Sequence, residues 1–244
     1  MKVFVIVPAA GLGTRMSPPA ARTEKRSPSK QFKELSGVPI LVHTIRTFAA
    51  SPEVYEIIVA LRKDEIAGFR HRVEKQFPEI LKKLLHFVEG GERRQNSVAN
   101  ALAAVAAAAD DLVLVHDAVR PLVSRQIVSD VIEAARKYGA AIAGLPAVDT
   151  VKQVDRTAEG AIIKATLPRA GIVLAQTPQG FRYDLLKRAF DEAAGDGFFG
   201  TDEASLVERA GHPVAVVMGS AKNLKITTPA DLELAEFYLK ASGS

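Results

Sequence analysis

The sequence predicts an α/β fold: a Rossmann-like, mostly parallel sheet with helices on both faces and a protruding β-arm. Three observations carry this reading. Apolar runs of strand length alternate with segments of helical period from Val3 to Leu145, at the intervals of βαβ crossovers. The first run, Val3–Val7, is β-branched and aromatic throughout, the signature of a strand buried on both faces. The alternation then breaks between Pro146 and Leu174, where two extended segments flank a polar turn.

Taken in order, Val3–Val7 forms the first strand and Pro8 stops it. Ala9, Ala10, Gly11 and Gly13 carry almost no side chain, and Thr14 and Arg15 follow. Ser17–Ser29 is rich in proline, serine and charge and has no apolar period, so it reads as a loop. Apolar residues from Ile40 to Phe48 fall at helical spacing. Glu56–Leu61 is the second strand. Asp64 is the expected N-cap of a helix through Phe77, which stops before Pro78. Leu84–Val88 is the third strand, ending in Gly90-Gly91, and Arg94–Ala109 is expected to be one helix because alanine is the best helix former. Leu112–Val115 is the fourth strand. Val128, Val131, Ile132 and Ala135 mark a helix ended near Gly139, and Ala141–Leu145 is the fifth strand.

Thr150–Val154 and Ala161–Leu167, around a turn at 156–160, predict a β-hairpin arm spanning 146–172. An arm leaving a compact domain commonly finds a partner, so a homodimer is expected. Leu174–Phe181 returns to the sheet. Helices follow around Leu186–Ala193 and Leu206–Ala210, then a last strand over Val214–Met218. Thr228 and Pro229 open a final helix as N-cap and N1. Residues 1–244 read as a single domain.

The 244 residues are 48% hydrophobic, enough for one large core. The chain contains no cysteine, which excludes disulfides, thiolate metal sites and a cysteine nucleophile and fits a reducing compartment. The formal net charge of +4 is modest, and no basic run marks a nucleic-acid tail. No apolar run approaches a membrane span, and Val3–Val7 is too short for a signal peptide, so a cytoplasmic location is expected.

The loop after the first strand is neither G-x-x-x-x-G-K-[ST] nor G-x-G-x-x-G. It is either a plain tight turn or a cradle whose small residues let backbone amides approach a phosphate. In an open parallel sheet, ligands bind beyond the carboxyl ends of the strands. Polar residues cluster at those ends: Arg15 and Lys30, Gly91 to Ser97, Asp117 and Arg120, and Asp149 and Thr150, with Lys225 before the last helix. No serine–histidine–acid set and no close histidine pair is present. His43, His71, His86 and His212 read as packing or surface residues, and His116 either supports Asp117 or packs. Asp117 is either a hard-oxygen ligand for Mg²⁺ or a hydrogen-bond acceptor for a sugar hydroxyl or loop amides. Cations without a covalent nucleophile suit phosphoryl or nucleotidyl transfer.

PAAGLGTRM, SKQF, GGERRQNSV, HDAVRP, DTVK, AQTPQGF, TDEASLVE and NLKITTPADL occur in this order over nearly the whole chain. Together they resemble the cytidylyltransferases that join CTP to 2-C-methyl-D-erythritol 4-phosphate in the non-mevalonate isoprenoid pathway. The resemblance implies a homodimer, Mg²⁺ and direct attack of the substrate phosphate on CTP. It implies that Arg15 and Lys30 stabilise the transition state. Pro8, Ala9, Ala10, Gly11, Gly13 and Ala118 would line the nucleotide, with Gly91, Glu92 and Ser97 at cytosine and ribose. Asp117, Arg120, Thr150, Thr177 and Thr201 would surround the polyol phosphate. Arg169 would reach from the arm into the neighbouring subunit's site and, with Lys225, orient the attacking phosphate. Arg93, Arg94 and Arg120 are also candidate loop clamps.

One departure stands out. The family has a short link between the arginine and the lysine, with proline before the lysine; here the link is long and Ser29 precedes Lys30. Arg22, Lys25 and Arg26 therefore compete for the phosphate role, and the insertion is expected to act as a lid. The alternatives are a ribitol 5-phosphate cytidylyltransferase and, from another class, a catalytically idle nucleotide-binding module.

Overall fold

The computed structural model describes residues 1–11 and 29–242. Strand β1 (Val3–Pro8) runs up the middle of the molecule. A 3-10 turn at Lys30–Phe32 and a small ribbon, β2 (Glu34–Leu35) and β3 (Val38–Pro39), lead into α1 (Ile40–Ala49). Strand β4 (Glu56–Leu61), α2 (Lys63–Gln76), β5 (Leu84–Glu89), α3 (Arg94–Ala103) and β6 (Leu112–Val115) follow. Next come α4 (Arg125–Tyr138), β7 (Ala140–Pro146), β8 (Val151–Thr157), β9 (Gly160–Leu167) and β10 (Val173–Arg182). The chain closes with α5 (Tyr183–Gly195), α6 (Glu203–Arg209), β11 (Ala215–Met218) and α7 (Pro229–Ser242).

Seven strands form one sheet in the order β11-β7-β10-β6-β1-β4-β5. β1 is parallel to β4 on one side and to β6 on the other. Strand order reverses there, which opens a crevice at the carboxyl ends of β1 and β6. β10 is antiparallel to both β6 and β7, so the sheet is mostly parallel with one reversed strand. The alternation of side chains along β1 divides the interior. Val3, Val5 and Val7 pack with α1, α2 and α4, whereas Phe4 and Ile6 pack with α3, α5 and α6. A third cluster of Leu35, Ile40, Val119, Ile226 and Ala235 holds α7 against the β2–β3 ribbon.

Several expected boundaries differ: the first arm strand, expected over Thr150–Val154, runs on to Thr157 and narrows the expected turn at 156–160, and two helix ends change. The helix expected over Arg94–Ala109 ends at Ala103. The chain must descend to enter β6 beside β1, and Asp111 fixes the landing. Its carboxylate accepts from Lys2 N at 2.6 Å and Ala108 N at 2.9 Å. Tertiary anchoring thus overrides alanine's helix propensity. Asp64 lies in the first turn of α2 and is not its N-cap, which is Arg62. Thr228 caps α7 as expected, accepting from Asp231 N at 3.2 Å. Gly139 ends α4 with φ 84°, a left-handed cap that favours glycine.

The β8–β9 hairpin pairs in antiparallel register and is largely exposed. Val148, Ile162, Ile163 and Leu174 are each more than half accessible. By contrast, Phe181 on β10 is fully buried among α5 and α6 residues. Phe181→Ala is expected to lower stability by about 3–5 kcal/mol, read as a drop in urea midpoint with an unchanged slope.

Candidate active site

The crevice at the β1/β6 switch point is a cleft of about 210 Å³. Its floor is Pro8, Ala9, Ala10 and Gly11 at the end of β1. Gly91, Glu92 and Ser97 flank it at the start of α3, and Lys30, Asp117, Ala118 and Lys225 complete it. These sequence-predicted residues therefore meet in one place. Gly13 and Arg15, the competing Arg22, Lys25 and Arg26, and the expected lid except Ser29 lie outside the described residues.

The two loops at the base are built to touch. A Cβ at Gly90 would collide with the Ala10 Cβ and come within 3.0 Å of the Ser97 hydroxyl, so only glycine fits there. Ala9 N–H donates to Ala60 O at 2.7 Å. Ala9 therefore contributes its smallness, while its amide belongs to the sheet. Ser97 is buried; its hydroxyl accepts from Gly91 N at 3.1 Å and lies 3.2 Å from Arg93 O. It shapes the Gly91–Arg93 loop. Lys30 is carried by a turn locked on both sides. Gln31 Nε2 donates to Ala9 O at 2.6 Å, and Ser29 Oγ donates to Glu65 Oε1 at 2.9 Å.

Asp117 is the hub. Its carboxylate is buried, with Arg94 Nε 3.2 Å from one oxygen. Lys225 Nζ at 2.9 Å and Arg120 Nε at 3.3 Å share the other. Burial alone would push this carboxyl up; Arg94, Lys225 and Arg120 outweigh it and hold it well below the usual carboxylate range. Arg94 is in turn gripped by Glu203, whose two oxygens lie 2.6 and 2.8 Å from Nη1. Burial would lower the Arg94 guanidinium, but the two carboxylates raise it above its ordinary value. Arg120 Nη1 donates to Asn223 O at 2.6 Å, and Ile226 N donates to Val119 O at 2.9 Å. These bonds fix the loop that carries Lys225.

Three expected contacts take another form. Thr177 turns its hydroxyl inward, accepting from Asp117 N at 3.0 Å and meeting His116 Nδ1 at 3.1 Å. Its role here is to brace Asp117, since the buried hydroxyl does not face the cleft. Thr150 and Thr201 are exposed and do not line this cleft. Arg169 sits on the exposed arm with Nη1 donating to Val148 O at 2.6 Å. Arg93, which does line the cleft, stacks over Phe199 at 3.8 Å. Gln31, Gln179 and Glu203 carry no role that the sequence alone makes visible. Their only signal was membership in the SKQF, AQTPQGF and TDEASLVE motifs.

Asp117 does not suit the Mg²⁺ ligand role considered for it. Both of its oxygens already face cations, which repel a metal. Among the described residues, no group of three or more acidic or histidine side chains could hold a metal ion.

His116 Nε2 lies 3.0 Å from Arg120 O. A carbonyl can only accept, so Nε2 carries the proton and Nδ1 accepts from Thr177. Burial lowers the pKa of His116 to about 4, opposed by the Arg120 carbonyl and Asp117. The imidazole is therefore neutral at physiological pH.

A mostly parallel α/β sheet with a small-residue loop and converging cations at its switch point defines a nucleotide-binding enzyme of the nucleotidyltransferase kind. Residues 3–241 match the family described as 2-C-methyl-D-erythritol 4-phosphate cytidylyltransferase, and the chain belongs to that family. A relative of that name from Acidobacterium capsulatum is 60% identical over 100% of both chains. Another from Solibacter usitatus is 53% identical over 98% of this chain and 96% of the relative. The crystal structure of the Thermus thermophilus protein of that name is 37% identical, with TM-score 0.74 over 98% of this chain and 100% of that one.

Unfolded His116 protonates near pH 6.5 and the folded one near pH 4. Between these values the unfolded chain binds more protons, so stability falls as pH drops, by about 3 kcal/mol from this group. His116→Gln is expected to remove that share of the slope in urea unfolding compared at about pH 4.5 and about pH 7. A slope identical to wild type would mean that His116 titrates alike in the folded and unfolded chain, so that its burial carries no pH-dependent stability.

Proposed function

We propose that this protein transfers the cytidylyl group of CTP to 2-C-methyl-D-erythritol 4-phosphate, releasing pyrophosphate and 4-diphosphocytidyl-2-C-methyl-D-erythritol. The observation that carries this is the Asp117 hub beside the small-residue loop. It holds Lys225 and Arg94 in the cleft that also contains Lys30. Three cations, Arg94, Arg120 and Lys225, face two carboxylates, Asp117 and Glu203. The cluster keeps one net positive charge, and Lys30 lines the same cleft. Such a site attracts two phosphorylated substrates.

In this reading an oxygen of the 4-phosphate attacks the α-phosphorus of CTP in line, and the bond to the bridging oxygen of pyrophosphate breaks. Lys30 and Arg15 face the charge that develops on the phosphoryl oxygens. Lys225, aimed by Asp117, orients the attacking phosphate. Gly91, Glu92 and Ser97 form the cytosine and ribose side. Mg²⁺ bound to the triphosphate would supply charge neutralisation there, alongside Lys30 and Arg15.

The exposed apolar residues of the hairpin support a homodimer in which Arg169 completes the neighbour's site. The absence of cysteine supports a reducing, cytoplasmic setting. No helix among the described residues is long and apolar enough to cross a membrane.

Pyrophosphate release with CTP, Mg²⁺ and either methylerythritol 4-phosphate or ribitol 5-phosphate tests the reaction. Release with the first alone is expected; release with ribitol phosphate alone would transfer the site to that substrate. Lys30→Ala is expected to lower kcat by roughly 10²–10³ at saturating substrates. Arg169→Ala homodimers are expected to be inactive. Mixed with Lys30→Ala protein and allowed to exchange subunits, they should regain up to about a quarter of wild-type sites. No recovery after demonstrated exchange would place Arg169 in its own subunit's site.

A further inference from the structure

Glu203 is the first residue of α6 and is 1% exposed. A buried carboxylate is costly unless it is paired and hydrogen-bonded. Both oxygens of Glu203 take one partner, Arg94 Nη1, while Nε of the same guanidinium faces Asp117. Arg94 is itself awkwardly placed: it is the first residue of α3, where the helix dipole disfavours a cation. Glu203 relieves that cost and leaves only one edge of the guanidinium for Asp117.

The position of Glu203 is fixed independently of Arg94. Gln179 on β10 is buried; its Nε2 donates to Asp202 Oδ2 at 2.7 Å and its Oε1 accepts from Ala204 N at 3.1 Å. Asp202 Oδ1 accepts from Ser205 N at 3.0 Å. Gln179 also pairs in register with Val115, two residues before Asp117. The contacts therefore close a ring from β6 through Asp117, Arg94, Glu203 and α6 to Gln179 on β10, and back to β6.

We propose that Glu203 is a positioning residue that acts through Arg94. By engaging one edge of that guanidinium it rations Arg94's pull on Asp117, so that Asp117 keeps an oxygen for Lys225. The inference rests on the reaction proposed above and deepens it. It concerns the polyol-phosphate half of the site, because Lys225 orients that substrate. Without Glu203, Arg94 turns fully onto Asp117 in a bidentate pair and Lys225 loses its anchor.

The test is Glu203→Gln, which keeps volume and removes charge. The KM for methylerythritol phosphate is expected to rise roughly tenfold, with the KM for CTP within about twofold. In the cycle with Arg94→Gln, the double variant should show the polyol-phosphate KM of Arg94→Gln alone. A purely structural role would move both KM values together and lower the melting temperature in proportion. If Glu203→Gln fails to fold, judged by lost CTP binding, Glu203→Asp decides. It should raise the polyol-phosphate KM alone by about threefold, and wild-type values for both substrates would overturn the proposal. Equal changes in both KM values, or effects that multiply in the cycle, would also overturn it. Wild-type protein inactive with CTP and methylerythritol phosphate would instead sink the reaction itself.

Discussion

The site depends on a carboxylate that is buried so that it can hold cations apart. Arg94, Arg120 and Lys225 all approach Asp117 within 3.3 Å. Without an anion among them, three positive groups in a partly dry cleft would repel each other and swing toward water. A buried ion cluster contributes little to stability and is often outperformed by apolar packing. Its value lies in orientation: the cations are placed before substrate arrives, so little reorganisation is needed as charge develops.

The sheet makes this placement possible. β6 ends at Val115, and the next two residues divide the work. His116 points inward, its tautomer set by the Arg120 carbonyl, and through Thr177 it braces the Asp117 amide. Asp117 points to the cleft. Both Thr177 and Gln179 come from β10, the strand that runs against its neighbours. An antiparallel strand can enter the sheet at the level of the carboxyl ends of β6 and β7. It thus lays Thr177 behind Asp117 and Gln179 against the start of α6, both buried supports of the groups that face the crevice. The reversed strand is therefore part of the site's construction.

The parts of this design that were legible in the sequence are those written in local pattern. Glu56–Leu61 and Leu112–Val115 were read to the residue because unbroken apolar runs of strand length admit few alternatives. The cleft residues were legible because strand ends, glycines and cations recur together. The helix end at Ala103 was not, because what stops α3 is Asp111 binding Lys2, 109 residues away in sequence. Thr177 looked like a substrate contact because threonine in a polar motif says nothing about which way its hydroxyl points. Glu203 was silent for a related reason. An acidic residue at the start of a helix is ordinary, and only the fold brings it to Arg94.

The long link before Lys30 looks at first like a threat to catalysis, since it separates Arg15 from Lys30 in sequence. The anchoring at its exit argues otherwise. Gln31 binds the carbonyl of Ala9, and Ser29 binds Glu65 on α2. Lys30 is thus positioned by contacts to β1 and α2 that do not pass through the link. The entropic cost of a longer closed loop grows slowly, by about 0.6 kcal/mol per doubling. A lysine fixed from outside its loop can tolerate wide variation in loop length.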